Sequence, residues 1–252
     1  MNIVYLTAIG VGGATLVGSL IGFSFKNISH KFNDIILSFA AGVMLCAAVM
    51  GLIIPSMEHG GNMSVYVTIL GVFCGAYVLN LMDKAVPHLH TLSGVDCETH
   101  CENNEKLNKV LLFVMAIAIH NLPEGIAAGV GFGTGNTAEA LTIAGGIALQ
   151  NIPEGMVIIA PMIAAGMPKK RTLLLALLTG FVEIFGTIIG YLAVSISNSI
   201  LPFALAFAGG TMLYVISDEM IPETHAHGSQ RGATYSLLAG FCLMLIMDFY
   251  LG

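Results

Sequence analysis

Two related motifs carry the side chains in this chain that are best suited to bind a metal ion. The first reads HNLPEG over residues 120–125, and the second reads QNIPEG over residues 150–155. Positions i, i+1 and i+4 share one face of a helix, so each motif presents its first two polar residues and its glutamate together. Imidazole, carboxylate and carboxamide groups suit borderline divalent first-row metals, and zinc and ferrous iron fit best. The candidate ligands are His120, Asn121, Glu124, Gln150, Asn151 and Glu154.

Both glutamates lie in the middle of apolar runs that contain no other charged residue. Glu124 and Glu154 each have fourteen uncharged residues on either side, and Glu183 adds a third carboxylate within the run 172–190. A carboxylate at the centre of a bilayer costs roughly 2.5 to 3.5 kcal/mol on insertion scales. No Lys or Arg lies in these runs, so protonation or a bound cation must offset the cost. Three carboxylates have room for one metal ion or for two adjacent ions.

The prolines of the two motifs predict a local distortion of the helices that carry them. Pro123 and Pro153 lack an amide N–H, so the carbonyl groups of Ile119 and Leu149 lose their helical partners. We expect a kink at each proline, with unwound backbone lining a cavity.

The composition of the chain indicates a membrane protein. Of 252 residues, 10% are charged and 56% are hydrophobic, and the mean hydropathy is +0.86; a soluble domain carries about 25% charged residues. These values exclude soluble enzyme folds. The net charge of -6 and the absence of a basic patch argue against a nucleic-acid partner.

Apolar runs and the breakers between them predict eight membrane-spanning helices in one transmembrane domain over residues 1–252. The runs are too continuous for the alternating strands of a membrane barrel. The predicted spans lie near residues 1–25, 33–55, 64–86, 107–131, 138–166, 172–194, 200–221 and 232–251.

The positions of the basic residues predict the orientation of these spans. All nine Lys and Arg residues fall on one side, in or around the loops after the odd-numbered spans, and the excess of cations assigns these loops to the cytoplasm. Both termini then lie on the non-cytoplasmic side, and a cytoplasmic loop covers about residues 87–106. Because consecutive spans cross in opposite senses, the two motifs run antiparallel, as in an inverted repeat with its substrate site near the midplane.

Histidines outside the spans form a second set of candidate ligands on the predicted cytoplasmic side. They could form an exit path or a sensor for delivered metal, or belong to polar linkers. Three lie in the loop after span 3, and two lie at the acidic end of span 7 over residues 218–227: His88, His90, His100, His225 and His227.

The paired motifs, together with GFVEIFG over residues 180–186, closely resemble the ZIP (Zrt/Irt-like protein) family of divalent-metal transporters, in its bacterial form. The resemblance covers essentially the whole chain. It implies an all-α polytopic membrane protein with eight helices in a 3+2+3 arrangement with inverted repeats. It also implies movement of metal toward the cytosol, no cofactor besides the transported ion and, in a bacterium, a place in the cell (inner) membrane.

Carried over residue by residue, the resemblance implies two metal positions. The first position matches His120, Glu124, Gln150 and Glu154, and the second matches Asn121, Asn151 and Glu183 with the same two span carboxylates. Met44 lies where some bacterial members place a thioether ligand. Many members have His in place of Gln150, and an amide oxygen should weaken the preference for zinc over harder ions such as manganese. Zinc is the favoured substrate, and Fe²⁺, Mn²⁺, Co²⁺ and Cd²⁺ are further candidates.

Two other functions would use the same ligands. A membrane-embedded metalloenzyme would hold a catalytic zinc with His120, Glu124 and Glu154, but the chain has neither an HExxH nor a GxSxG motif. A passive divalent-cation channel would differ from a carrier in rate. The sequence therefore favours a transporter over an enzyme.

Small residues at four-residue spacing bear on the oligomeric state. Gly71 and Gly75, and likewise Gly186 and Gly190, suit close helix contacts. Such contacts can lie within one bundle or between the protomers of a homodimer, so the predicted partners are divalent metal ions, the lipid bilayer and a second copy of the chain.

Overall fold

The computed structural model describes residues 2–25, 29–92 and 101–252, and within them all side chains except those of residues 85–92, 101–113 and 116. The described chain is helical almost throughout. Its long helices are α1 (Asn2–Gly22), α2 (His30–His59), α3 (Ser64–Leu92), α4 (Cys101–Gly131), α5 (Thr137–Ala164), α6 (Lys169–Ile196), α7 (Asn198–His225) and α8 (Gln230–Leu251).

The lengths and hydropathies of these helices suit a bilayer. Within the described residues, seven helices, all but α4, are long and apolar enough to cross a membrane. Helix α4 has 31 residues, and about 20 suffice for the ~30 Å hydrocarbon core. Large apolar side chains such as Phe73, Phe181 and Phe249 face outward, as a lipid-facing surface requires. The predicted all-helical class is confirmed, with seven to eight helices able to span a membrane.

The predicted loop over residues 87–106 is shorter in the structure. Helix α3 continues to Leu92, and helix α4 already begins at Cys101. The boundary was misplaced because the prediction ended each span where its apolar run ended. A helix continues beyond the hydrocarbon core wherever its own backbone hydrogen bonds persist.

The widened helical turns do not lie at the prolines of the two motifs. Helices α4 and α5 continue through Pro123 and Pro153 without an unwound segment, because a proline removes one hydrogen bond and the flanking bonds hold the helix together. The wider π-helical turns lie instead in α2 over Ala47–Ile53 and in α7 over Ile216–Met220. Such turns are frequent at functional sites.

Helix packing divides the bundle into two groups. Helix α1 packs along α5 and α6, and α4 packs along α6. In the other group, α2 packs along α8, and α3 packs along α7. Contacts of α2 with α5 and of α4 with α7 join the two groups. The motif helices α4, α5 and α6 therefore all belong to the first group.

Glycines bring the backbones within each group into direct contact. A methyl group on Gly18 would overlap the carbonyl group of Ile152 in α5, and one on Gly125 would overlap the carbonyl group of Glu183 in α6. The paired glycines of α3 and α6 have the same role. Gly71 and Gly75 face α7, and Gly186 and Gly190 face α4. These glycines thus pack helices within one bundle, which is one of the two kinds of contact, within a bundle or between protomers, that their spacing allowed.

Two alanine substitutions in α1 test this close packing. Gly18→Ala should lower the free energy of unfolding by about 1 to 3 kcal/mol, because the methyl group meets backbone atoms that cannot move aside. Gly10→Ala is the matched control, because nothing lies within 4 Å of a methyl group there. Alanine is also the better helix former, so this control should keep or raise the melting temperature in detergent. Equal melting temperatures for the two variants would contradict the packing role.

A candidate metal site between α4, α5 and α6

The carboxylate of Glu183 joins four helices through three hydrogen bonds. It accepts one from Thr15 Oγ1 of α1 at 2.6 Å, one from Asn121 Nδ2 of α4 at 2.5 Å and one from Asn151 Nδ2 of α5 at 2.6 Å. All four side chains are buried. The structure thus brings the asparagine of each motif into contact with the acidic residue of α6.

These bonds fix which atoms the two asparagines present to their other side. An ionised carboxylate only accepts hydrogen bonds, so both amide groups turn their nitrogens toward Glu183. The oxygens Asn121 Oδ1 and Asn151 Oδ1 are left buried without a protein partner. Buried oxygens without a partner are costly, and a bound cation would satisfy them.

Glu124 differs from Glu183 because Gln150 is the donor beside its carboxylate and no well-formed hydrogen bond joins the two side chains. It is 1% exposed, and neither of its oxygens has a hydrogen-bond partner among the described residues. Both polar atoms of Gln150, which is fully buried, also lack partners there. The charged neighbours of Glu124 are the carboxylates of Glu154 and Glu183. Glu124 and Gln150 therefore offer buried oxygen ligands in a region of negative charge.

A cavity of about 720 Å³ leads from this region to one end of the molecule. Its lining includes His120, Glu124 and Glu154 at the motifs. Further polar residues come from the start of α2 and from the end of α7, namely His30, Asn33, Asp34, Asp218, Glu219, Glu223 and His227. No Lys or Arg is among the described residues that line it. The cavity suits a cation, because acidic and imidazole groups follow it along its length.

His120 points from α4 toward two acidic residues of the other helix group. Its Nε2 lies 2.8 Å from Glu219 Oε1 of α7 and 3.6 Å from Asp83 Oδ1 of α3. The possible ligand atoms of the three residues all lie within 4.8 Å of one another, a spacing that could hold a metal ion. Glu219 lies in the widened turn of α7. In the sequence, Asp83 beside Lys84 has the pattern of an interfacial residue, and Glu219 is only one member of the acidic end of span 7.

The other predicted ligands lie in different surroundings. Met44 is fully buried in the hydrophobic core, and its role as a thioether ligand stays a prediction. Both ring nitrogens of His225 lie within hydrogen-bond distance of protein groups, Nδ1 of the Ile221 carbonyl at 2.8 Å and Nε2 of Thr234 Oγ1 at 3.2 Å. The side chains of His88 and His90, and all of His100, lie outside the described residues.

His227 pairs with an acidic residue that the sequence did not single out. Its Nδ1 lies 3.1 Å from Asp34 Oδ1 of α2. Asp34 stands in a predicted interfacial stretch beside basic residues, so neither its burial nor its partner has a signal in the sequence. Thr15, the donor to Glu183, is one of several hydroxyl residues in apolar runs and is equally inconspicuous.

Comparison with known proteins gives the family of this chain. The model of the ZIP zinc transporter family matches residues 98–248, which include all three motif helices. Zinc transporter GufA of Myxococcus xanthus is 41% identical over 96% of each chain. Zinc transporter ZIPB of Bordetella bronchiseptica is 35% identical over 95% of this chain and 78% of its own, and Zinc transporter ZupT of Chlorobium chlorochromatii is 34% identical over 97% of each. With uncompensated carboxylates at a cavity between apolar helices, this multi-pass membrane protein belongs to the ZIP family of zinc transporters.

Proposed function

We propose that this protein carries Zn²⁺ across the membrane toward the cytosol. The observation that carries the proposal is the carboxylate of Glu124, which is buried with both oxygens free of protein partners at a cation-suited cavity. The comparisons support zinc, because the similar proteins are named zinc transporters. Since the family and its named members are transporters, a metalloenzyme is not favoured.

The proposed binding position uses ligands from α4 and α5. His120, Glu124, Gln150 and Glu154 hold the ion, in agreement with the donor types that zinc accepts. A second ion beside it would need the carboxylate of Glu183. That carboxylate already accepts three protein hydrogen bonds. We therefore infer that one ion binds while these bonds are intact, and that a second requires their rearrangement.

The proposed exit passes through the acidic group around His120. Because Nε2 of His120 lies beside Glu219 and Asp83, this imidazole can leave the first position and present the ion to the two carboxylates. From there the cavity continues toward the end of α7. The basic loops lie at that end of the helices, which supports a cytoplasmic exit and termini on the other side of a bacterial inner membrane.

The helix pairing supports an inverted repeat of the 3+2+3 kind. In such a repeat, helices α1 to α3 correspond to α6 to α8, and α4 corresponds to α5. The contacts follow this correspondence. The pair α1–α5 matches the pair α6–α4, and the pair α2–α8 matches the pair α7–α3. The widened turns of α2 and α7 follow the same correspondence. In such transporters one group of helices moves against the other around the bound ion. The backbone contacts at glycines suit the group of α1, α4, α5 and α6 to move as one body.

Metal uptake into proteoliposomes tests the proposed function. Purified protein should take up Zn²⁺ with a rate that saturates as the metal concentration rises, whereas empty liposomes should show only leakage. Fe²⁺, Mn²⁺ and Cd²⁺ in the same assay rank the metals. A rate that rises linearly with concentration would favour the channel, because channels need weak sites for fast release. Folded protein that binds zinc without moving it would contradict the proposal.

The amide at position 150 gives a prediction about metal preference. Gln150→His should raise the ratio of Zn²⁺ to Mn²⁺ uptake by about tenfold, which corresponds to about 1.4 kcal/mol of differential binding. The reason is that imidazole is a softer ligand than an amide oxygen. Competition between the two metals in one proteoliposome assay measures the ratio. An unchanged ratio in an active variant would show that residue 150 does not contact the ion.

A further inference from the structure

The cavity has a second group of ligand-type side chains at the end away from the motifs. Asp34 lies in the first turns of α2, His30 is the first residue of that helix, and His227 follows the end of α7. All three line the cavity. They share no residue with the group of Asp83, His120 and Glu219. The second group lies at the start of α2 and just after α7, whereas the first group lies on α3, α4 and the widened turn of α7.

The contact between Asp34 and His227 fixes the tautomer of the imidazole. The 3.1 Å distance joins His227 Nδ1 to Asp34 Oδ1. A carboxylate is a hydrogen-bond acceptor, so the proton of the ring lies on Nδ1 and the lone pair lies on Nε2. Histidines that bind metals in proteins are commonly oriented in this way, with one ring nitrogen bound to a carboxylate and the other facing the metal.

Asp34 itself has more acceptor capacity than its described contacts use. The residue is 3% exposed, and its second oxygen, Oδ2, is buried without a hydrogen-bond partner. It does not serve as the helix cap, because Ser29 accepts the hydrogen bond from the N–H of Phe32. A carboxylate that is buried and half-unpartnered beside a cavity indicates a cationic ligand.

The ring of His30 is placed to act together with His227. The two ring centroids are 4.9 Å apart, and the ring planes are inclined by 25°. This stacking holds the two imidazole rings side by side, where both can face one cation. His225 provides a contrast only two residues before His227, because protein groups lie within hydrogen-bond distance of both its nitrogens.

We propose that His30, Asp34 and His227 form a second divalent-cation site at the mouth of the cavity. His227 Nε2 and a ring nitrogen of His30 are the ligands, and Asp34 orients His227 and contributes negative charge. Since His30 is exposed and His227 is partly exposed, water completes the coordination and the ion leaves readily. The site is therefore weaker than the one between α4 and α5. Its role as a station on the exit path rests on the proposed transport function; its binding of metal does not.

The test is a titration of the full-length protein in lipid nanodiscs with Co²⁺, whose absorption reports nitrogen ligands. The Glu124→Gln background removes the site between α4 and α5. In that background the double variant His30→Ala, His227→Ala should bind one Co²⁺ fewer per chain. Asp34→Asn should weaken the same ion by about tenfold or more, as expected when a carboxylate that orients a ligating histidine is lost. Gel filtration and circular dichroism verify that each variant is folded.

His225→Ala is the matched control, and it should leave the number and affinity of bound ions unchanged. Co²⁺ that binds elsewhere in the chain is bound by all variants alike. Only a difference between variants in the number or affinity of bound ions therefore reports binding at this site. Equal stoichiometry in the double histidine variant would overturn the proposal, and so would an equal loss in the His225→Ala control. Absence of zinc flux together with an intact, His227-dependent ion would refute the transport function and leave this site standing.

Discussion

Glu124→Gln should abolish zinc uptake by proteoliposomes and at the same time raise the melting temperature of the metal-free protein. The loss of uptake should exceed about a hundredfold, because removal of a mere supporting partner of a metal ligand already costs 10- to 100-fold. The gain in stability has a separate cause. Glu124 is buried, and neither of its oxygens accepts a well-formed hydrogen bond from the described residues, so its charge destabilises the metal-free fold.

The size of the stability gain follows from the cost of a buried carboxylate. Insertion scales give roughly 2.5 to 3.5 kcal/mol for a charged side chain at the centre of a membrane helix, and glutamine removes the charge while keeping the side-chain shape. Thermal unfolding in detergent with a chelator measures the shift, and Glu58→Gln is the control because Glu58 is an exposed glutamate at the end of α2. Persistent uptake, or a lower melting temperature, would show that Glu124 is held by protein partners instead.

Glu183→Met should have the opposite effect on stability. The carboxylate of Glu183 accepts hydrogen bonds from Thr15, Asn121 and Asn151. Methionine removes this acceptor from all three donors, and Asn151 Nδ2 keeps only its 3.4 Å bond to the Val11 carbonyl. Each orphaned donor costs about 1 to 3 kcal/mol, so the summed loss reaches a large part of the stability of the fold. The melting temperature of the metal-free protein should fall strongly, or the protein should fail to accumulate as a monodisperse species.

Two further variants separate this network from a general intolerance of substitution. Glu124→Met makes the same chemical change at the other buried glutamate and should destabilise the protein much less, because only Gln150 lies beside that carboxylate as a donor and it makes no well-formed hydrogen bond there. Thr15→Val removes one donor and its hydrogen bond to Glu183, so it should produce a smaller loss than Glu183→Met. Equal losses for Glu124→Met and Glu183→Met would contradict the different roles assigned to the two carboxylates.

The helices and the motif residues could be predicted from the order of residues alone. A span such as α5, Thr137–Ala164, is a long uncharged stretch between turn residues, and burial in a bilayer depends on the hydropathy of that stretch itself. The antiparallel placement of the two motifs follows from the alternation of the spans. The unwound segments expected at Pro123 and Pro153 were wrong, because the helical hydrogen bonds on either side of a proline can keep a helix continuous.

The sequence by itself determined that this is a helical membrane protein with carboxylates that lack basic partners in its apolar runs. Only the tertiary structure decided which of these carboxylates accepts protein hydrogen bonds and which does not. Thr15 and Glu183 are 168 residues apart, and Asp34 and His227 are 193 residues apart. Hydropathy and periodicity are properties of a single segment of the chain, so they predict helices and not the contacts between them. A contact between distant residues depends on which helices pack together, and here glycine contacts between α1, α4, α5 and α6 set that packing.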